Sequence, residues 1–236
     1  MQLLPMPQVI VFDVDGVLAE VTASYRETIR ATVRHFTGAD VQNEVIQRFK
    51  NAGGWNNDWD LSHRLIAEQG VQADYSVVVD RFNRIFLGDG STPGLIQEEK
   101  WIPKPGLLEE LGTRHSLSIF TGRWRYELQP TLARFASNIT FSETITADDV
   151  TKQKPSPEGL QVIQRANPGK ILWYLGDTVD DARAARDAGV VFLGVAARDS
   201  QRRDELEGRL FEFGARRVIS DVNELAGLLA AAEVGA

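Results

Sequence analysis

Four short segments carry side chains able to do chemistry together. The first is Asp13-Val14-Asp15-Gly16, which closes the apolar run 8–12. In extended backbone, residues two apart point the same way. Two carboxylates at that spacing can therefore face one site, and Gly16 allows a sharp turn and a close backbone approach. Taken alone, the run also reads as a strand followed by an acidic turn.

The second segment is Gly176-Asp177-Thr178-Val179-Asp180-Asp181, directly after the apolar run 171–175. Thr178 or one aspartate suffices to cap a helix here. Three aspartates in five positions exceed that need, and a hard cation such as Mg²⁺ takes carboxylate oxygens of this kind. The third is Phe120-Thr121-Gly122-Arg123, where a hydroxyl and a glycine at a strand-to-helix junction can bind an anion. Arg123 is there either a solvated charge or a substrate contact. The fourth is Lys154-Pro155-Ser156-Pro157. Pro157 suits the first turn of a helix, and Lys154 just ahead of it could neutralise a phosphate and a carboxylate nucleophile.

The elements that must position these groups follow from periodicity. Apolar runs at 8–12, 116–120, 171–175 and 190–195 read as buried parallel strands, with weaker candidates at 139–141 and 217–219. Helical patterns lie between them, at 106–112, 125–136, 157–166, 179–188, 200–212 and 221–232. Alternation of this type predicts an α/β fold with a parallel sheet flanked by helices. Residues 22–100 differ. They hold helical patterns near 24–37, 41–51, 58–69 and 74–87 and no convincing strand, which predicts an all-helical insert after the first strand. The expected division is 1–20 with 102–236 as one α/β unit and 21–101 as a helical cap. The proline-bearing exit Trp101-Ile102-Pro103-Lys104-Pro105-Gly106 makes a plausible hinge.

Composition narrows the function. The chain has 236 residues, 43% of them hydrophobic, and a net charge of −7. A surface of that sign disfavours broad nucleic-acid binding, so an anionic substrate needs a local positive site. The absence of cysteine excludes disulfides, zinc-thiolate sites and thiol nucleophiles. His35, His63 and His115 are scattered and lack a metal-binding spacing. No run approaches a membrane span and no basic leader precedes an apolar stretch. The expectation is a soluble, cytoplasmic protein, monomer or homodimer, with no nucleic-acid or membrane partner.

The four segments, in this order, resemble the motifs of the haloacid dehalogenase superfamily. Asp13-x-Asp15-Gly16 is similar to its first motif, Thr121 to its second, Lys154 to its third, and Asp177 with Asp181 to its fourth. Pro105-Gly106 with Glu109 and Leu111, and the stretch 182–189, also match. A helical insert after the first motif resembles the C1-capped subfamily IA, which includes phosphoglycolate phosphatases and β-phosphoglucomutase. The resemblance implies a Rossmann-like sheet ordered 5-4-1-2-3 and an acidic cluster at the carboxyl ends of its strands.

It also implies a mechanism. Asp13 attacks phosphorus and forms an aspartyl-phosphate. Asp15 protonates the leaving alcohol and then activates water. Mg²⁺ is held by Asp13, the backbone carbonyl of Asp15 and Asp177, while Asp181 orients Lys154 or a metal-bound water. Thr121, Gly122 and Lys154 hold phosphate oxygens. Dehalogenases of this superfamily lack the second aspartate, so Asp15 favours phosphoryl chemistry. A phosphonatase would need a cap lysine for a Schiff base, and Lys50 keeps that open.

Substrate choice is expected in the cap. The loop 50–60 carries Trp55, Trp59 and three asparagines, more than a connection between helices requires, although Gly53 or Gly54 could simply end one helix and Asn57 or Asp58 cap the next. This loop, with Ser24-Tyr25-Arg26 and Thr121-Gly122-Arg123-Trp124, resembles one branch of subfamily IA. Arg26, Lys50, Asn56, Asn57, Arg123, Gly16 and Gly122 are therefore candidate substrate contacts. The expected partner is a small phosphorylated metabolite such as phosphoglycolate, a sugar phosphate or histidinol phosphate. A β-phosphoglucomutase-type mutase and a non-catalytic binding protein on the same fold are the alternatives.

Overall fold

A computed structural model describes residues 5–234. Its central sheet contains β1 (Val9–Phe12), β4 (Ser116–Phe120), β5 (Glu143–Ile145), β6 (Leu172–Gly176), β7 (Val191–Val195) and β8 (Arg217–Ile219). All neighbours pair in parallel, in the order β5-β4-β1-β6-β7-β8. Counting sheet strands along the chain, the expected 5-4-1-2-3 order runs from β7 to β5. The weaker candidate near 217–219 extends it as a sixth strand beside β7.

Each central strand is apolar on both faces because helices cover both. Val9 and Val11 enter one core with Phe120, Tyr174 and Phe192, under α7 (Glu158–Ala166), α8 (Val179–Ala188) and α9 (Arg203–Glu212). Ile10 and Phe12 point the other way, into a core with Leu117, Trp173 and Leu175 under α5 (Leu107–Arg114) and α10 (Leu225–Val234). The period of two along a strand divides the residues this way.

One expected strand is displaced. The segment pairing with β4 is 143–145, not 139–141. Ile139 and Phe141 instead pack as partly buried side chains against the core on their way from α6 (Arg125–Phe135). Apolar alternation reported their burial correctly, but the register with β4 uses Glu143, whose Oε2 accepts a 2.7 Å hydrogen bond from the Ser118 hydroxyl.

The inserted helices are α1 (Glu27–Thr37), α2 (Asn43–Ala52), α3 (Asp58–Glu68) and α4 (Tyr75–Leu87), preceded by a π-helical turn at Thr22–Arg26. They gather around an apolar core of their own that includes Tyr25, Ile29, Leu61, Leu65, Phe82 and Phe86. Both connections to the sheet are tied together. β2 (Ala19–Glu20) pairs antiparallel with β3 (Lys100–Trp101), and Trp101 stacks on Phe135 at 5.5 Å. That short ribbon is the strand content that periodicity missed, because two residues are too few to show a period. Among the described residues no helix is long and apolar enough to cross a membrane.

Candidate active site

The carboxyl ends of β1, β4 and β6 converge on one place. Asp13 follows β1, and its amide donates to the Leu175 carbonyl (2.8 Å), which continues the ladder one residue past the strand. Its Oδ1 accepts from the Val14 amide (2.7 Å) and lies 3.0 Å from Lys154 Nζ. The chain then turns back, with the Leu18 and Ala19 amides both donating to the Val14 carbonyl. Gly16 has φ +72°, and a Cβ there would fall 2.0 Å from Asp177 Oδ2. Only glycine lets this turn lie against that carboxylate. Its amide donates to the Ala19 carbonyl (2.9 Å). Gly16 is therefore a spacer for Asp177.

Asp177 stands where β6 ends. Its Oδ1 is buried without a hydrogen-bond partner. Burial, then the charges of Asp13 and Asp181, push its carboxyl well up from the ordinary value. Burial also pushes Asp13 up to about 7, with Asp181 and Asp15 adding and Lys154 opposing. Oxygens of Asp13, Asp177 and Asp181 all lie within 4.8 Å of one another. An orphaned carboxylate oxygen beside two further acids is a donor set that fits a hard divalent cation.

Asp181 has other partners already. Its Oδ2 accepts from the Thr178 amide (3.0 Å) and hydroxyl (2.6 Å), while its own amide donates back to that hydroxyl. This is the N-terminal cap of α8. Its Oδ1 accepts from Lys154 Nζ (2.6 Å) and the Tyr174 hydroxyl (2.5 Å). Burial opposes ionisation of Asp181, but Lys154 and these hydrogen bonds hold its carboxyl below the usual range. Of the two roles the resemblance allowed, these contacts favour orienting Lys154, and Asp181 also belongs to the three-carboxylate cluster that could hold a cation. Lys154 in turn is buried between Asp13 and Asp181. Burial lowers its proton affinity, and the two carboxylates more than reverse this.

Thr121 is buried at the end of β4, its amide donating to the Ile145 carbonyl (3.0 Å). Its hydroxyl accepts from the Arg123 amide (3.2 Å). Beside it, a Cβ on Gly122 would meet Asn56 Nδ2 at 2.3 Å. That nitrogen comes from the cap loop and is buried without a partner.

Arg123 is only 2% exposed. Its Nε and Nη2 donate to Asp15 Oδ1 (3.0 and 2.6 Å), Nη2 also to Glu99 Oε1 (2.7 Å), and Nη1 to the Thr131 hydroxyl (2.7 Å). Its guanidinium lies 4.8 Å from the centre of the Tyr25 ring. Arg123 is not a solvated charge; it lines the cavity with most of its donors engaged within the protein. It fastens Asp15 to Glu99, which sequence reasoning did not single out.

The remaining candidates line one cavity with Asp13, Asp15, Gly122 and Asp177. It holds ≈ 820 Å³ with its open mouth included. Arg26 donates to Gln47 (2.6 Å). Lys50 pairs with Asp58 (2.6 Å) and reaches the Asn56 carbonyl (3.4 Å). A Schiff base needs an uncommitted amine, so this ion pair works against the phosphonatase reading. Asn57 Oδ1 accepts the Trp59 and Asp60 amides and so caps α3, the bland reading of that residue. Sequence reasoning did not single out Glu127, and it read Asp180 only as one of three aspartates after β6. Glu127 lines the cavity from the first turn of α6, and Asp180 accepts the Gly54 amide from the cap loop.

The family model for haloacid dehalogenase-like hydrolases matches residues 10–195. The chain belongs to that family. Solved structures share its fold. A phosphonoacetaldehyde hydrolase-like protein of Oleispira antarctica is 18% identical with TM-score 0.75, covering 99% of this chain and 95% of the other. A candidate phosphoglycolate phosphatase of Lactobacillus plantarum is 19% identical with TM-score 0.72, covering 94% and 99%. A candidate β-phosphoglucomutase of Thermotoga maritima is 19% identical with TM-score 0.67, covering 95% and 99%. Among curated proteins, a Phytophthora nicotianae protein named imidazoleglycerol-phosphate dehydratase is 36% identical over 209 residues, which is 85% of this chain. The chain spans about half of that relative's length (46%). The name belongs to the whole relative, while the matched half corresponds to a hydrolase-family chain.

Proposed function

We propose that this hydrolase is a magnesium-dependent phosphomonoesterase acting on a small phosphate ester. The observation that carries the reading is that Asp13 stands beside both a buried Lys154 and a carboxylate, Asp177, with an orphaned oxygen.

Asp13 and Asp177, with the Asp15 backbone carbonyl, would hold the ion. When bound, magnesium screens the repulsion between an anionic nucleophile and an anionic phosphate. Lys154 neutralises Asp13 and a phosphate oxygen. The Thr121 hydroxyl and the Gly122 amide bind the non-bridging oxygens. Asp13 attacks phosphorus to give an aspartyl-phosphate. Asp15 holds one oxygen on Arg123 and presents the other to the leaving alcohol, protonates it, and then takes a proton from the water that cleaves the intermediate. We propose the β2–β3 ribbon as the hinge between a 21–101 cap and the α/β unit.

The relative's name contains an imidazole-bearing phosphate ester, which supports small esters as the substrate class and puts histidinol phosphate first among those expected. The test is phosphate release from a panel of esters with and without Mg²⁺, on the natural chain and Asp13→Asn. Release that needs Mg²⁺ and disappears in the variant is expected; equal release by the variant would overturn the reading. Isomer formation in place of phosphate release would indicate the mutase alternative.

A further inference from the structure

One end of the cavity has a shortage of positive charge that the phosphoryl chemistry does not use. Arg123 is the shared counter-ion of Asp15 and Glu99. It is also the cation whose charge acts on Glu127. The cavity's other arginine, Arg26, donates to the neutral Gln47, and two guanidinium groups against these three carboxylates leave one negative charge in excess when all are ionised. Lys50 does not relieve this, since it is paired with Asp58. Glu127 is 3% exposed. Its Oε2 accepts from the Trp124 amide (2.9 Å), and among the described residues its other oxygen makes no hydrogen bond. Burial pushes its carboxyl up to about 7, as expected for an acid that lacks a close cation.

A second observation points to a ligand. Tyr25 is 6% exposed and lines the same cavity, and its hydroxyl is buried without a partner. The Arg123 guanidinium lies 4.8 Å from the centre of the Tyr25 ring, which places the residue at the same end. A buried hydroxyl left unpaired costs free energy until something binds it. Trp59 stacks on Trp124 at 5.7 Å and 17°, and both residues line the cavity.

Resting on the phosphomonoesterase reading, we propose that the alcohol part of the substrate carries a protonated nitrogen, an ammonium or imidazolium, bound by Glu127 and the Tyr25 hydroxyl against Trp59 and Trp124. A cationic N–H donor supplies the missing charge, pairs both open oxygens and lies favourably on an indole face. A neutral polyol would pair the hydroxyls and leave the excess negative charge. A carboxylate-bearing ester would add to it.

The test compares phosphoethanolamine and histidinol phosphate with 2-hydroxyethyl phosphate and phosphoglycolate, on the natural chain and Glu127→Gln. Glutamine keeps an acceptor for the Trp124 amide and removes only the charge. The cationic esters should exceed the others in kcat/KM by roughly tenfold or more, and the variant should bring that ratio toward one. Equal kcat/KM for cationic and neutral esters, or a ratio unchanged in the variant, overturns the proposal while p-nitrophenyl phosphate turnover still upholds the phosphatase reading. If no ester is hydrolysed, calorimetric binding of the same four compounds decides. Tighter binding of the cationic pair, lost in Glu127→Gln, supports the subsite, and equal or absent binding overturns it.

Discussion

Asp180, in the first turn of α8, holds the Gly54 amide with both carboxylate oxygens, at 2.8 and 2.9 Å, across 126 residues of sequence. The two residues belong to the sheet unit and to the inserted helices respectively, so this contact fastens the loop between α2 and α3 to the start of α8. The same loop carries Asn56, whose unpaired Nδ2 lies over Gly122.

Breaking that clasp should loosen the cavity roof without touching the nucleophile. Asp180→Ala removes a charge-assisted pair of hydrogen bonds, partly offset by the cost of burying the carboxylate, which burial already pushes above its ordinary range. KM should rise about tenfold while kcat changes less. Steady-state kinetics test this, and faster hydrogen exchange at 52–57 should accompany it.

Lys154 is the only cation between two buried carboxylates among the described ion pairs. Lys154→Met should abolish phosphate release and, by stranding Asp13 and Asp181, destabilise the fold by about 3–5 kcal/mol. Urea unfolding at neutral pH measures the second effect. A variant as stable as the natural chain would show that water or other groups compensate the carboxylates.

Gly16→Ala places a Cβ against Asp177 Oδ2 at a backbone φ of +72°. The strain should cost about 1 kcal/mol or more of stability, and the displaced carboxylate should raise the Mg²⁺ concentration for half-maximal activity at least roughly tenfold. A magnesium titration of phosphate release reads this directly. Unchanged half-saturation would mean that Asp177 does not depend on the close approach.

Glu127 should make stability fall as pH rises. Its carboxyl titrates near the ordinary value of 4.5 in the unfolded chain and at about 7 in the folded one. Between those values the folded chain retains a proton that the unfolded chain has lost, so folding weakens across that window and stays weakened above it. Glu127→Gln should therefore gain stability over the natural chain on going from pH 5 to pH 8, by on the order of 3 kcal/mol at most. Urea midpoints of both proteins at the two pH values test the sign.

The local content of this protein is written in its sequence. Apolar runs ending in Asp13, Thr121 and Asp177 read as strands meeting a site, because burial on both faces demands continuous apolar residues and the acids can lie only where the strand leaves the core. The ordered motifs carried the family, and two-residue and 3.6-residue periods located the central strands and inserted helices. Tertiary structure alone decided which neighbour each polar group takes. Arg123 binds Asp15 and Glu99, 108 and 24 residues away. Asp181 divides its oxygens between a helix cap and Lys154, and Asn57 caps α3 while also lining the cavity. Glu127 drew no notice in the sequence, and only the fold brings it to the cavity. Pairings of this kind depend on how whole elements dock, and periodicity within one segment holds no information about the segment it will face.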